Sequence, residues 1–151
     1  MSPRRLYRAL ALAEVVTWTL LIVGMLLKYV THTTDLGVRL GGGIHGLVFL
    51  AYCLGTVLVG VDGRWGAGRT LLGLGSAVVP YATVPFERSA ERRGGLSDRW
   101  RLRDQPPAGA IESLVALVLR HPVLSAVLGL LLVGGLFAVL LSLGPPTEWG
   151  R

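Results

Sequence analysis

The chain has 151 residues, of which 52% are hydrophobic and 16% charged, with a mean hydropathy of +0.58. This leaves room for one domain and is too apolar for a soluble one. A single cysteine, Cys53, excludes an intrachain disulfide and a cysteine-based zinc site. Fifteen basic against nine acidic residues give a net charge of +6. In a membrane protein such charge faces anionic lipid. No basic stretch is interleaved with aromatics, so a nucleic-acid partner is not expected.

Four apolar runs order the chain. Met1–Arg8 is basic, and Ala9–Leu27 follows. That run reaches Lys28-Tyr29 without a small-x-small cleavage site, so it reads as a retained span rather than a signal peptide. About 20 apolar residues cross a bilayer core. By that measure Ile44–Val61 is a second span, Thr70–Phe86 a shorter third holding Pro80 and Pro85, and Val123–Leu143 a fourth. The connection 28–43 ends in Gly41-Gly42-Gly43, read as a flexible loop. The connection 62–69 is short, which makes the second and third helices antiparallel neighbours, with Trp65 as an interfacial anchor.

The stretch 87–104 carries six arginines against four acids and closes at Pro106-Pro107. Ala110–His121 is too short to span and places Ile111, Leu114, Val115 and Val118 on one face, as in a helix lying in the interface. The expected fold is an all-α membrane helical bundle. A three-helix membrane core occupies 5–88, with spans near 9–27, 44–61 and 70–86. A basic hydrophilic loop follows at 89–109, then the interfacial helix and fourth transmembrane helix at 110–143, and a tail at 144–151.

Polar residues recur at helical spacing on three of the runs. Glu14, Thr17, Trp18, Leu21, Met25 and Lys28 share one face. His45, Phe49, Tyr52 and Thr56 share another, and Arg69, Gly73, Ser76, Pro80, Thr83 and Glu87 a third. Hydrocarbon cannot satisfy such faces, so they turn toward one another. Alternating helix direction then sets Glu14, Thr56 and Arg69 toward one membrane side, and Lys28, His45 and Glu87 toward the other. The expected ion pairs are Glu14 with Arg69 and Lys28 with Glu87. An unpaired charge at the membrane centre costs about 2.5–3.5 kcal/mol on insertion scales. The plainer readings stand beside these. Arg69, Lys28 and Glu87 can snorkel to water. Glu14 can make a structural hydrogen bond, His45 can be a satisfied interhelical histidine, and Tyr52 can be a packing residue.

Topology leaves two arrangements. If all four runs span, six bases flank one side and nine the other, and the Arg-rich N-terminus falls on the poorer side. If 70–86 is re-entrant, the N-terminus and the basic loop share the cytoplasmic side, but the Lys28–Glu87 layer is lost. The three matching stripes favour the spanning arrangement.

Several segments carry a family resemblance. They are Leu12-Ala13-Glu14, the stretches 24–29 and 44–52, Arg64-Trp65, Ala82-Thr83-Val84 and Phe86-Glu87-Arg88. Over about residues 5–103 the chain resembles the small actinobacterial integral membrane proteins with a YdzA-like domain of unknown function. Gly43 and Pro85 depart from that pattern. The resemblance implies a three-helix core in the plasma membrane and brings no activity with it.

The favoured function is a multi-pass structural or accessory subunit in the lipid bilayer, forming a homo-oligomer or joining a larger complex. A small proton-coupled solute carrier using Glu14 and His45 is the alternative. A membrane enzyme or cofactor site using His45, Lys28 and Glu87 is the third. No nucleophile–base motif or phosphate loop supports catalysis, and no cofactor or metal is expected.

Overall fold

The structure is a computed structural model, and it describes residues 1–143; the expected tail at 144–151 lies outside the described residues. It is all-helical among those residues, as the sequence implies. Helix α1 runs Pro3–Tyr29 and α2 runs Leu36–Asp62, each 27 residues, or about 40 Å at 1.5 Å per residue. Both are long and apolar enough to cross a membrane, and the bent pair formed by α6 and α7 below is a third candidate. Ser2 caps α1 by accepting the Arg5 N–H, and Pro3 sits at its first position, where no amide proton is needed.

The two helices form an antiparallel hairpin. The Gly41-Gly42-Gly43 run is helical rather than a loop, because α2 begins seven residues before it completes. Packing explains the difference. A side chain at Gly41 would stand 3.0 Å from the Leu20 carbonyl oxygen, and one at Gly24 would stand 2.7 Å from the Val38 nitrogen. Small residues let two backbones approach, and tertiary contact overrides the weak helix propensity of glycine.

The third apolar run is not one continuous helix and is not among the helices long and apolar enough to cross a membrane. It breaks into α3 (Ala67–Val78) and α4 (Thr83–Arg92). Pro80 lacks an amide proton and pushes the preceding Val79 to an extended conformation (φ −98°, ψ 122°). Tyr81 completes the reversal at φ 66°. Pro85 falls in the first turn of α4, where proline is tolerated. α3 climbs beside α2, with Gly73 admitting Thr56 and Phe86, and ends where the Trp18 Nε1–H donates to the Ala77 carbonyl at 3.2 Å. α4 descends beside α1, tied by the Thr83 hydroxyl to the Ala11 carbonyl at 3.0 Å and by Glu91 to Arg4 at 3.2 Å. The segment is a re-entrant helical hairpin whose two ends lie on the same side as the start of α1.

The basic stretch is also more ordered than a hydrophilic loop. Its first four residues, 89–92, belong to α4, and Arg101–Asp104 forms a short helix, α5. Leu96, Trp100 and Leu102 are buried, and Trp100 donates to the Met1 carbonyl at 2.8 Å. Asp62, 1% exposed, accepts the amides of Arg101 (3.1 Å) and Leu102 (2.9 Å). Trp65 is built into this base rather than standing as a free anchor: its Nε1–H donates to the Gly95 carbonyl at 2.9 Å, and its ring meets those of Tyr7 and Phe86 edge-on.

Helix α6 (Ala110–Arg120) lies along the same base, held by Glu112 to Arg101 at 2.7 Å and by Arg103 to the Leu119 carbonyl at 3.0 Å. The Arg101 hydrogen bond and the Ala108 amide hold the Glu112 carboxyl below its usual range. Val115 and Leu119 turn inward while Ile111 and Leu114 stay exposed, so the expected single apolar face is divided. α7 (Pro122–Leu143) leaves α6 at about 110° and reaches α2 near Leu54.

Candidate functional site

The inner faces of α1, α2 and the re-entrant hairpin enclose a polar core. Glu14 is fully buried, at 0% exposure, in the middle of an apolar helix. Its Oε2 stands 3.6 Å from Nδ1 of His45 on α2, and neither carboxyl oxygen has a hydrogen-bond partner among the described residues. The Thr17 hydroxyl, one helical turn along α1, lies 3.2 Å from the Glu14 main-chain carbonyl and 3.1 Å from His45 Nδ1. One assignment satisfies all three groups. Thr17 donates to the carbonyl, and its oxygen accepts a proton from His45 Nδ1. That tautomer keeps the imidazole N–H beside the buried carboxylate. Trp18 tilts against the His45 ring with centroids 4.4 Å apart, and Phe49 lies at 6.3 Å, so the imidazole is fixed by aromatic contact.

A second cluster lies toward the base. Tyr7 and Tyr52 stack with centroids 5.3 Å apart, and their hydroxyls are 2.7 Å apart. Tyr52 reaches the Ser76 hydroxyl at 3.0 Å, and Ser76 donates to the Gly73 carbonyl at 2.7 Å. Thr56 donates to the Tyr52 carbonyl at 2.8 Å. Because Ser76 spends its proton on Gly73, its oxygen accepts from Tyr52, and Tyr52 accepts from Tyr7. The chain of donors thus ends on a backbone carbonyl. It ties α1, α2 and α3 together, each bond contributing about 0.5–1.5 kcal/mol net.

The expected ion pairs are absent. Arg69 donates to the Ala90 carbonyl at 2.9 Å, near the end of α4, and its guanidinium lies 4.8 Å from the Trp65 ring centre. It caps the descending helix, where a cation meets the negative end of the helix dipole, and does not meet Glu14. Lys28 lies over the Tyr29 ring at the far end of α1. Glu87 is 4% exposed on α4, beyond Thr83 toward the base. About 20 residues of helix, or roughly 30 Å, separate its level from Lys28. The cause is the re-entrant turn, which returns α4 to the base before it reaches the far side. Lys28, His45 and Glu87 therefore do not form a common site. Thr56 and Tyr52 belong to the hydroxyl cluster, and Glu14 and His45 to each other.

Tyr7 and Asp62 are the residues that the sequence reading passed over. Tyr7 lies one heptad before Glu14 on the same face, and that spacing points to it. Asp62 is an aspartate closing an apolar run, with nothing nearby in sequence to say that it caps residues 39 positions on.

Residues 4–92 match the family described as a domain of unknown function, DUF3817. The chain belongs to that family. The match covers the two long helices and the re-entrant hairpin, and it stops at the end of α4. A Streptomyces coelicolor protein named "Putative membrane protein SCO5905" is 46% identical over 96 residues, which are 61% of this chain and 11% of that protein. The chain thus spans about a tenth of the length of this curated relative. No solved structure matches. The relative and the apolar helices agree that this is a membrane protein, as the segment resemblance implies.

Proposed function

We propose that the chain is a multi-pass structural or accessory module of the plasma membrane, without enzymatic activity, that assembles with itself or with a larger membrane complex. The observation that carries this reading is the relative: its matching stretch makes up 11% of a much longer membrane protein. A fold used as one part of a larger membrane chain suits a module that works by assembly. The exposed apolar faces supply surface for it, with Leu12, Val16, Leu20, Val23 and Leu27 along α1 and Ile44, Leu47, Leu54 and Val57 along α2. Orientation follows from charge. The base gathers Arg4, Arg5, Arg8, Arg64, Arg69 and the arginines between 88 and 103, while Lys28 and Arg39 lie at the far end. The base is then cytoplasmic. Native mass analysis from lipid nanodiscs should show dimers or larger species; monomers alone would sink the proposal.

The Glu14–His45 geometry favours a second reading, a proton-coupled role. A buried carboxyl 3.6 Å from an imidazole nitrogen sets two titratable groups side by side, and an intramembrane ionisable residue is a site hypothesis by default. Glu14→Gln in proteoliposomes should abolish proton or solute flux; unchanged flux removes this reading. His45, Lys28 and Glu87 lie apart, so no observation favours an enzyme reading over these two.

A further inference from the structure

The outer face of α4 carries a groove that neither reading uses. It encloses about 470 Å³ and is lined by Val84, Pro85, Arg88, Ser89, Arg92 and Arg93. These residues fall on two adjacent helical rows, 84–88–92 and 85–89–93. The apolar pair is at the membrane-facing end, at the depth where Thr83 bonds Ala11 on α1. The arginines lie at the base, where neighbouring Glu91 bonds Arg4. The three guanidiniums are exposed and have no carboxylate within salt-bridge distance among the described residues. The two acids of α4 are spent elsewhere: Glu91 holds Arg4, and Glu87 turns inward at 4% exposure. The groove therefore keeps a net charge of three outward cations, with a hydroxyl among them and an apolar end above.

We propose that this groove binds one anionic phospholipid of the cytoplasmic leaflet. Its phosphate accepts from Arg88, Arg92, Arg93 and the Ser89 hydroxyl, and an acyl chain lies on Val84 and Pro85. Arginine suits this ligand because its fork of donors matches phosphate oxygens. A free phosphate has the same oxygens and lacks the chain, and the polarity gradient along the groove favours the lipid. The site requires membrane insertion and is independent of self-association.

The test is native mass spectrometry of the full chain released from nanodiscs containing equal phosphatidylglycerol and phosphatidylcholine of matched chains. The wild type should retain one phosphatidylglycerol at least about tenfold over phosphatidylcholine, since each surface arginine adds attraction toward anionic lipid. Arg88→Gln/Arg92→Gln/Arg93→Gln should erase that preference. Arg5→Gln/Arg99→Gln/Arg120→Gln, of equal charge change on the same side, should keep it. Equal loss in both triples would show general attraction and overturn the site. Inorganic phosphate at millimolar concentration should leave the lipid in place, and displacement would reassign the groove to a free anion. Retention of a second copy of the chain, lost in the Arg88 triple, would also overturn the lipid assignment.

Discussion

The closest approach of α1 and α2 gives the sharpest stability prediction. A Cβ added at Gly24 would meet the backbone of Gly37 and Val38, at 2.7 Å from the Val38 nitrogen. Ordinary carbon contacts begin near 3.4 Å, so the helices must separate by more than half an ångström where they touch. Neither obstacle is a flexible side chain. Gly24→Ala also gains helix propensity, about 0.5–1 kcal/mol, which obscures the packing effect when measured alone. Gly75→Ala supplies the reference, because Gly75 is an exposed helical glycine with nothing within 4 Å of its added Cβ. The propensity gain is common to both, so their difference isolates the overpacking cost, expected at about 1–3 kcal/mol. Equilibrium unfolding in mixed detergent micelles, followed by circular dichroism, measures it. Equal stability of the two variants would refute the claim that backbone contact at Gly24 sets the hairpin spacing.

Three further outcomes are expected. Asp62→Ala strips the acceptor from the buried Leu102 amide and the half-buried Arg101 amide, at about 1–3 kcal/mol for a buried donor left unsatisfied; hydrogen exchange at Arg101 and Leu102 should quicken while the middle of α1 stays protected. Glu112 has a depressed native pKa, so its contribution is present above the ordinary carboxylate range and is lost as pH falls through the native value. Limited proteolysis near residue 107 should therefore accelerate only below the ordinary carboxylate range, and Glu112→Gln should be cleaved readily at neutral pH too. For topology, single cysteines replacing Gly66 and Ser97 in a Cys53→Ser background should label from the same membrane side, with Thr33→Cys labelling from the other. Opposite labelling of positions 66 and 97 would restore a spanning third helix.

The helical class, the two long spans and the inward polar faces were legible because they rest on local signals: run length, hydropathy and spacing of three or four. Glu14 and His45 stood out for that reason. The pairing of charges was not legible. It depended on whether 70–86 crosses, and that turned on one backbone event at Pro80. Proline in a transmembrane helix can kink or end it, and periodicity reads the same in either case. Once the chain reverses there, Arg69 and Glu87 both belong to the base, and the layers drawn for a straight helix dissolve. The glycine run at 41–43 misled in the opposite sense, because propensity favours a loop while close contact with Leu20 favours a helix. Asp62 shows the limit of local reading, since its role is set by residues 39 and 40 positions away.

The reversal at Pro80 also bears on how the protein is made. A helix that crosses the bilayer can partition from the translocation machinery by itself, since its backbone groups are satisfied internally. The α3–α4 segment cannot. Its tip exposes main-chain carbonyls, one of which is met by Trp18 of α1, while the Thr83 side chain leans on α1 in turn. Both of those partners lie on α1. The α3–α4 segment therefore needs α1 beside it before its own backbone and side chains are satisfied.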